Sequence, residues 1–398
     1  MASNPPAVVL GGEAIAVSVA RSLGRRGVPV YALGVADVDP VRFSRYCTEF
    51  VDLGSGEGVQ ERWLDWLKRT SGRPRVLIPC NDDGIELIAR SRADLLELKY
   101  QAIEANDGVL LTMLDKSKTY ELAARLGVAT PWTHSVSDVR ELEHVLEGVS
   151  FPLAVKPRHS YRFARHFGLR QKLFVVGDRS ELENVLASLG TLDVDLLLTE
   201  VIPGGDDQLW TCTAYLRAEG TPLIHYTRRK VRQYPPSFGR GCYYLLEWDS
   251  EVAELGLRFL RGAGVRGLAN VEFKRDARDG SLKLIECNHR LDGATELGRA
   301  AGVDLPLLVY KRALGRDGQL GRAREGVRLW NPIEDTRSAW HSWRHGELSL
   351  AGWAGSVLRP LHFQVFDVRD PKPSVIGAAR IVAHALRRTR RPALTESG

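Results

Sequence analysis

The chain has 398 residues, 44% hydrophobic and 26% charged, and a formal net charge of +6. That length exceeds one ordinary core and predicts about two or three packed subdomains of a soluble globular protein, with no apolar run long enough to cross a bilayer. The positive balance favours anionic partners without choosing among nucleotides, acidic metabolites, nucleic acid and a membrane surface. The five cysteines (Cys47, Cys80, Cys212, Cys242, Cys287) are scattered and never spaced as CxxC. This pattern, with no signal-peptide pattern at the N-terminus, predicts free thiols in a reducing cytoplasm and argues against structural zinc.

Ala7–Leu10 runs into Gly11-Gly12, then a helical pattern over Glu13–Arg26 stopped by Gly27, and Val28–Leu33 reads as a second strand. Strand, glycine turn, helix, strand opens a doubly wound sheet. GGEAIA lacks the GxGxxG spacing, so the glycines serve a tight turn or let a ligand approach the backbone. Val76–Pro79 is another buried strand, after which Asn81-Asp82-Asp83 caps a helix through Leu96. A substrate-amine contact is the alternative for Asp82 and Asp83.

Asp115-Lys116 opens a helix that ends near Gly127, ahead of Pro131. Phe151–Pro157 is an apolar strand carrying Lys156, whose ammonium must meet an anion or suffer desolvation. The segment 158–172 is crowded with Arg158, Arg162, Arg165, Arg170, His159 and His166. It reads as a phosphate-facing loop, a contact for a second anionic substrate, or a solvated basic loop. Strand Leu173–Val176, helix Ser180–Leu189 and strand Leu196–Val201 follow, the last continuing into Ile202-Pro203-Gly204-Gly205-Asp206-Asp207.

Trp210–Ala218 and Pro222–Arg229 predict a hairpin across Glu219-Gly220, followed by a polar, aromatic loop at Lys230–Tyr244 and a helix over Glu251–Gly262. Val271–Arg290 reads as two strands joined at Asp279-Gly280, with Glu272 and Glu286 brought to one spot and Asn288 pointing the same way as Glu286. Two carboxylates and an amide oxygen suit Mg²⁺ rather than Zn²⁺, and Arg290 would sit beside its phosphates. A solvated sheet face is the bland alternative. Beyond Trp330, the tryptophans Trp340, Trp343 and Trp353 predict a lid or cover. Val375–Arg391 reads as a basic amphipathic helix, either in peripheral contact with anionic lipid or simply solvated.

Asp115-Lys116 with Gly127…Pro131, Lys156 in FPLAVKP, TEVIPGGDD at Thr199–Asp207 and VEF…IECNHR stand in an order that resembles the ATP-grasp superfamily of carboxylate–amine ligases. Within it, these motifs and RRKVRQYPPSFG at Arg228–Gly239 look like the branch of ATP-dependent carboligases that includes D-aspartate ligase-like enzymes. The resemblance implies an α/β and α+β architecture, the ATP-grasp fold with an N-terminal Rossmann-like preATP-grasp subdomain. The expected division is 1–113 (preATP-grasp), 114–202 (small α+β), 203–330 (large α+β) and 331–398 (C-terminal extension).

Carried over residue by residue, the resemblance implies that Lys116, Lys156 and Arg158 hold nucleotide phosphates. Glu200, Val201 and Ile202 would flank the adenine, and Asp207 or Asp206 the ribose. Glu272, Glu286 and Asn288 would ligate Mg²⁺, for which Mn²⁺ substitutes, and Arg290 would support the transferring phosphoryl group. Arg232, with Gln233 and Tyr234, is the candidate for gripping the carboxylate substrate. The implied partners are ATP, a small-molecule carboxylate and an amine, with no nucleic acid, and relatives of this kind are often homodimers. A nucleotide-sensing module without turnover is the alternative function. Such modules tend to lose metal ligands, and this chain keeps a full set.

Overall fold

The computed structural model describes residues 4–136, 145–159, 173–189, 195–318 and 320–377. It opens with a parallel five-stranded sheet of β1 (Ala7–Leu10), β2 (Val30–Gly34), β3 (Glu49–Asp52), β4 (Arg75–Pro79) and β5 (Tyr100–Gln101), in the order β3-β2-β1-β4-β5. The apolar run of β1 is buried throughout, as a central parallel strand between α1 (Glu13–Gly24), α2 (Val59–Arg69) and α3 (Asp82–Glu97) must be. The connections reverse direction between β1 and β4, so the loops after these two strands border the crevice where open α/β sheets take ligands. Gly12 is required there. Its φ is 104°, and a Cβ on it would stand 2.1 Å from the Cβ of Cys80. The cap of α3 is Asn81, which accepts from the Gly84 N–H at 2.9 Å. Asp82 is thereby left for another task.

After α4 (Asp107–Leu114) and α5 (Lys116–Arg125) comes a four-stranded sheet of β6 (Thr133–Val136), β7 (Leu153–Pro157), β8 (Phe174–Val176) and β9 (Leu196–Glu200), ordered β6-β9-β7-β8. With α6 (Arg179–Leu189) it forms its own small core, centred on Leu153, Val155, Leu182 and Leu198. α5 does not join that core. Its Tyr120 and Ala123 pack instead with Phe259, Phe273 and Leu284 under the largest sheet.

That sheet has seven strands in the order β14-β13-β10-β11-β12-β15-β16. They are β10 (Leu209–Leu216), β11 (Pro222–Tyr234), β12 (Arg240–Leu246), β13 (Gly267–Arg275), β14 (Leu282–Asn288), β15 (Arg328–Trp330) and β16 (His362–Phe363). α7 (Ser250–Gly262) backs it, while α8 (Thr295–Ala300) and α9 (Leu305–Ala313) fill the junction with the N-terminal sheet. The loop expected over Lys230–Tyr244 is in fact a second hairpin. β11 runs on to Tyr234, and Pro235-Pro236, which lack ladder N–H groups, make only its turn.

The C-terminal extension is stitched to both ends of the molecule. β15 and β16 add to the large sheet, and α10 (Pro332–Arg344) and α11 (Leu350–Val357) gather around Asp335. That buried carboxylate accepts from Arg232 Nε at 2.6 Å and from Trp330 Nε1 and Trp353 Nε1, each at 2.9 Å. Further on, buried Asp370 accepts from Arg21 Nε at 2.9 Å, Ser44 Oγ at 2.7 Å and the Arg45 N–H at 2.9 Å, clasping α1. Trp353 is thus an anchor. Trp340 and Trp343, expected in a cover, are 56% and 41% exposed and lie against each other. The helix expected over Val375–Arg391 falls outside the described residues from 378 onward. Among the described residues no helix is long and apolar enough to cross a membrane, and all five cysteines are free thiols.

Candidate functional site

One face of the large sheet carries the candidate site. Glu272 on β13 is directly opposite Glu286 on β14, and Asn270 is opposite Asn288. Across β10 the register continues through Thr211 to Arg228 on β11, so Glu272, Glu286, Thr211 and Arg228 share a face. Lys230, two residues on, reaches Glu272 Oε1 at 3.2 Å, and Asn288 Nδ2 donates to Glu286 Oε1 at 2.7 Å. Among the described residues no group of three or more His, Cys, Asp or Glu is arranged to hold a metal ion. The donor set here is two carboxylates and one amide, all oxygen, which fits a hard cation that keeps most of its shell for water and phosphate.

The lysines arrive from the opposite wall. Lys156 on β7 donates to the Tyr120 hydroxyl at 3.3 Å, and that hydroxyl donates to the Ile285 carbonyl at 2.8 Å, next to Glu286. Burial depresses the Lys156 pKa to about 8, partly offset by the negative charge of Glu286. Burial lifts Tyr120 to about 12, opposed by the positive charge of Lys116 and reinforced by Glu286. Both lysines and Glu286 therefore act electrostatically on one small volume, as a shared triphosphate requires. Arg158 is held at the N-terminus of α5, where its Nε donates to Asp115 at 2.9 Å while Asp115 also caps the helix. The remaining basic residues of the 158–172 segment, from 160 on, lie outside the described residues.

An ammonium whose burial outweighs the pull of Glu286 is a stability burden that ATP would relieve. The folded-state pKa of Lys156 lies below the ordinary lysine value of about 10.4, so the unfolded chain binds more protons and stability rises with pH between those values. Lys156→Met is expected to stabilise the nucleotide-free protein at pH 7 by about 1–3 kcal/mol, the gain closing between about pH 8 and 10.5. Urea unfolding at a series of pH values checks this.

At the end of β9, the Glu200 side chain proves to be a hub. It accepts from Lys283 Nζ at 2.6 Å, Arg278 at 2.8 Å and the Trp132 N–H at 3.1 Å. Burial would raise its pKa, but these cations and hydrogen bonds outweigh it and hold the carboxylate ionised. Val201 and Ile202 follow the last ladder residue, where the chain leaves the sheet. Asp206 is spent on the second hairpin, accepting from Gln233 Nε2 at 2.7 Å and the Ser237 N–H at 2.9 Å. Asp207 is half exposed and 3.8 Å from Arg229, the less committed of the two acids.

Arg232 faces the wrong way for a substrate contact. Simple alternation would put it beside Arg228 and Lys230, but a bulge intervenes. Lys230 pairs with Tyr244 and Arg232 with Tyr243, so the two side chains leave opposite faces. Arg232 is turned to Asp335 and stacks on Tyr243. Gln233 serves Asp206, and the Tyr234 ring lies beneath Arg337.

Of the arginines beside this face, Arg290 was singled out from the sequence, whereas Arg228 and Arg240 were not. Arg228, buried, donates to Thr213 Oγ1 at 2.7 Å and pairs with Asp292. Reading β11 as one long strand would have shown Arg228 and Lys230 on one face. Arg290 Nε donates to Asp82 Oδ1 at 2.6 Å, and Arg240 to Glu13 Oε2 at 2.6 Å. These two ion pairs span the crevice between the turns after β1 and β4 and the large sheet.

Residues 195–333 match the family described as "ATP-grasp in the biosynthetic pathway with Ter operon". The D-aspartate ligase of Enterococcus faecium is 24% identical over 71% of this chain and 70% of its own length. The D-alanine–D-alanine ligase of Stutzerimonas stutzeri is 27% identical over 51% of the chain, which spans just under two thirds (65%) of that enzyme. Among solved structures, the biotin carboxylase domain of Hydrogenobacter thermophilus 2-oxoglutarate carboxylase, in complex with MgADP, ADP and bicarbonate, superposes with a TM-score of 0.64 at 18% identity. The match covers 81% of this chain and 73% of that one. The mixed α/β fold of this chain, with its parallel N-terminal sheet, matches that of these ATP-grasp neighbours.

Proposed function

We propose that the chain is an ATP-grasp ligase that joins a carboxylate to an amine through an acyl phosphate, with an α-amino acid or peptide among its substrates. The observation that carries this is the facing pair Glu272–Glu286, with Lys116 and Lys156 bearing on the same volume. Glu272, Glu286 and Asn288 would hold Mg²⁺, which when bound neutralises phosphate charge and fixes the triphosphate's geometry.

In the first step a substrate carboxylate oxygen attacks the γ-phosphorus, an O–P bond forms and ADP leaves with the bridging oxygen. In the second, the amine nitrogen attacks the acyl carbon, a C–N bond replaces the C–O bond, and phosphate leaves while the amine proton is released. Lys116 and Lys156 would offset charge on the phosphates throughout, and Arg290 and Arg228 would offset the charge that develops on the reacting oxygens. Each guanidinium group is anchored by an acid, Arg290 by Asp82 and Arg228 by Asp292.

The crevice supports the substrate class. Glu13–Arg240 and Asp82–Arg290 each present an acid on one wall and an arginine on the other. A zwitterion can exchange with such a pair, its ammonium taking the acid and its carboxylate the arginine in bidentate fashion. The names of the two relatives, both ligases of amino acids, point the same way.

ADP release is to be screened over amino acids, uronic acids and peptides with mass detection. The expected result is release that requires both partners and a product of their summed mass less water. Release indifferent to any amine would contradict the proposal.

A further inference from the structure

Lys156 is carried by a sheet whose core is separate from that of the strands bearing Glu272 and Glu286. Something must fix its ammonium relative to the acids. Tyr120, which belongs to neither sheet, bonds both the ammonium and the strand that carries Glu286. It sits on α5, only 5% exposed, with its ring in the large sheet's core.

The hydroxyl has one proton and donates it to the Ile285 carbonyl at 2.8 Å. Its lone pairs are thereby aimed the other way, where Lys156 Nζ donates at 3.3 Å. The same ammonium lies 5.6 Å from the centre of the Tyr120 ring, within cation–π range. A flexible four-carbon side chain is thus held at its far end by a rigid one, and the rigid one is bonded to the backbone beside Glu286.

We propose that Tyr120 is the positioning residue for Lys156, setting the distance between the phosphate-binding ammonium on one wall and the metal-binding carboxylates on the other. The inference rests on the nucleotide reading above and adds a part to it. Nothing in the motif order marks this residue: Asp115-Lys116 opens α5, and Tyr120 lies one turn further on the same helix.

Such a role predicts an effect that scales with phosphate. Lys156 reaches phosphate oxygens and not the nucleoside, so loss of its hold should leave nucleoside affinity alone. The test is equilibrium binding of adenosine, ADP and the non-hydrolysable analogue AMP-PNP, each with Mg²⁺, to the wild-type chain, Tyr120→Phe, Lys156→Gln and the double variant. Phenylalanine keeps the buried ring, and a thermal melt verifies the fold of each protein.

Tyr120→Phe is expected to weaken AMP-PNP about tenfold, ADP less and adenosine not at all, the loss of one charge-assisted hydrogen bond. In the Lys156→Gln background the same change should add nothing, because the group it positions is gone. Equal losses for adenosine and AMP-PNP, or losses that add in the double variant, would mean a general packing role and overturn the inference alone. A wild-type chain that binds neither nucleotide would remove the nucleotide reading and this inference with it.

Discussion

Glu286→Gln is expected to lower ATP-dependent ADP release by about 10³-fold while leaving the melting temperature unchanged or slightly raised. The two halves of that expectation have separate causes. Catalytic loss follows because the amide is a neutral, weaker ligand for a divalent cation and no longer offsets the positive charges of Lys156 and Arg290. Stability is kept because Glu272 and Glu286 are direct cross-strand partners, and like charges in that position repel. Glutamine removes the repulsion, and its Oε1 still accepts from Asn288. Paired measurements of ADP release and thermal unfolding check both halves, and a variant that unfolds early would show that the charge serves the fold.

The largest stability effect belongs to Asp335, far from that centre. Asp335→Ala is expected to destabilise the protein by about 3–5 kcal/mol, read as a fall in the urea midpoint. The carboxylate is fully buried and accepts from Arg232 through two nitrogens and from two indole N–H groups. Removing it strands a buried guanidinium and two partly buried indole donors at once. Asp335→Asn keeps the shape and some acceptors, and should lose roughly half as much. If alanine were tolerated within about 1 kcal/mol, the extension would not be the fixed part of the fold that this hub implies.

Local rules made parts of this molecule legible in its sequence. The pairing of Glu272 with Glu286 follows from the Asp279-Gly280 turn and strand alternation, and it survives a register shift just beyond Glu272. Lys156 was readable because one lysine in an apolar strand needs an anion. Arg232 was misread for the opposite reason: a single extra residue in β11 reverses which face a side chain takes, and no residue type in RRKVRQY announces it. Asp82, read as a helix cap, instead holds Arg290, since neighbouring Asn81 already does the capping.

Long-range partners were not legible at all. Arg21 and Asp370 are 349 residues apart, and nothing local to either predicts the other. The hub at Glu200 joins β9 to Lys283 and Arg278 on the β13–β14 hairpin, again through contacts that only the packed chain defines. The carboxylates and lysines of the candidate site were thus visible as candidates, while the groups that hold them in place were not.

The central claim is that Glu272, Glu286 and Asn288 hold a divalent cation against a triphosphate. Mn²⁺ titration followed by electron paramagnetic resonance, with AMP-PNP present, tests it most directly, because free and protein-bound Mn²⁺ give different signals. The wild-type chain should deplete the free Mn²⁺ signal beyond what AMP-PNP alone achieves, and Glu286→Gln should lose that extra depletion. Equal depletion by the two proteins would place the cation elsewhere and contradict the account.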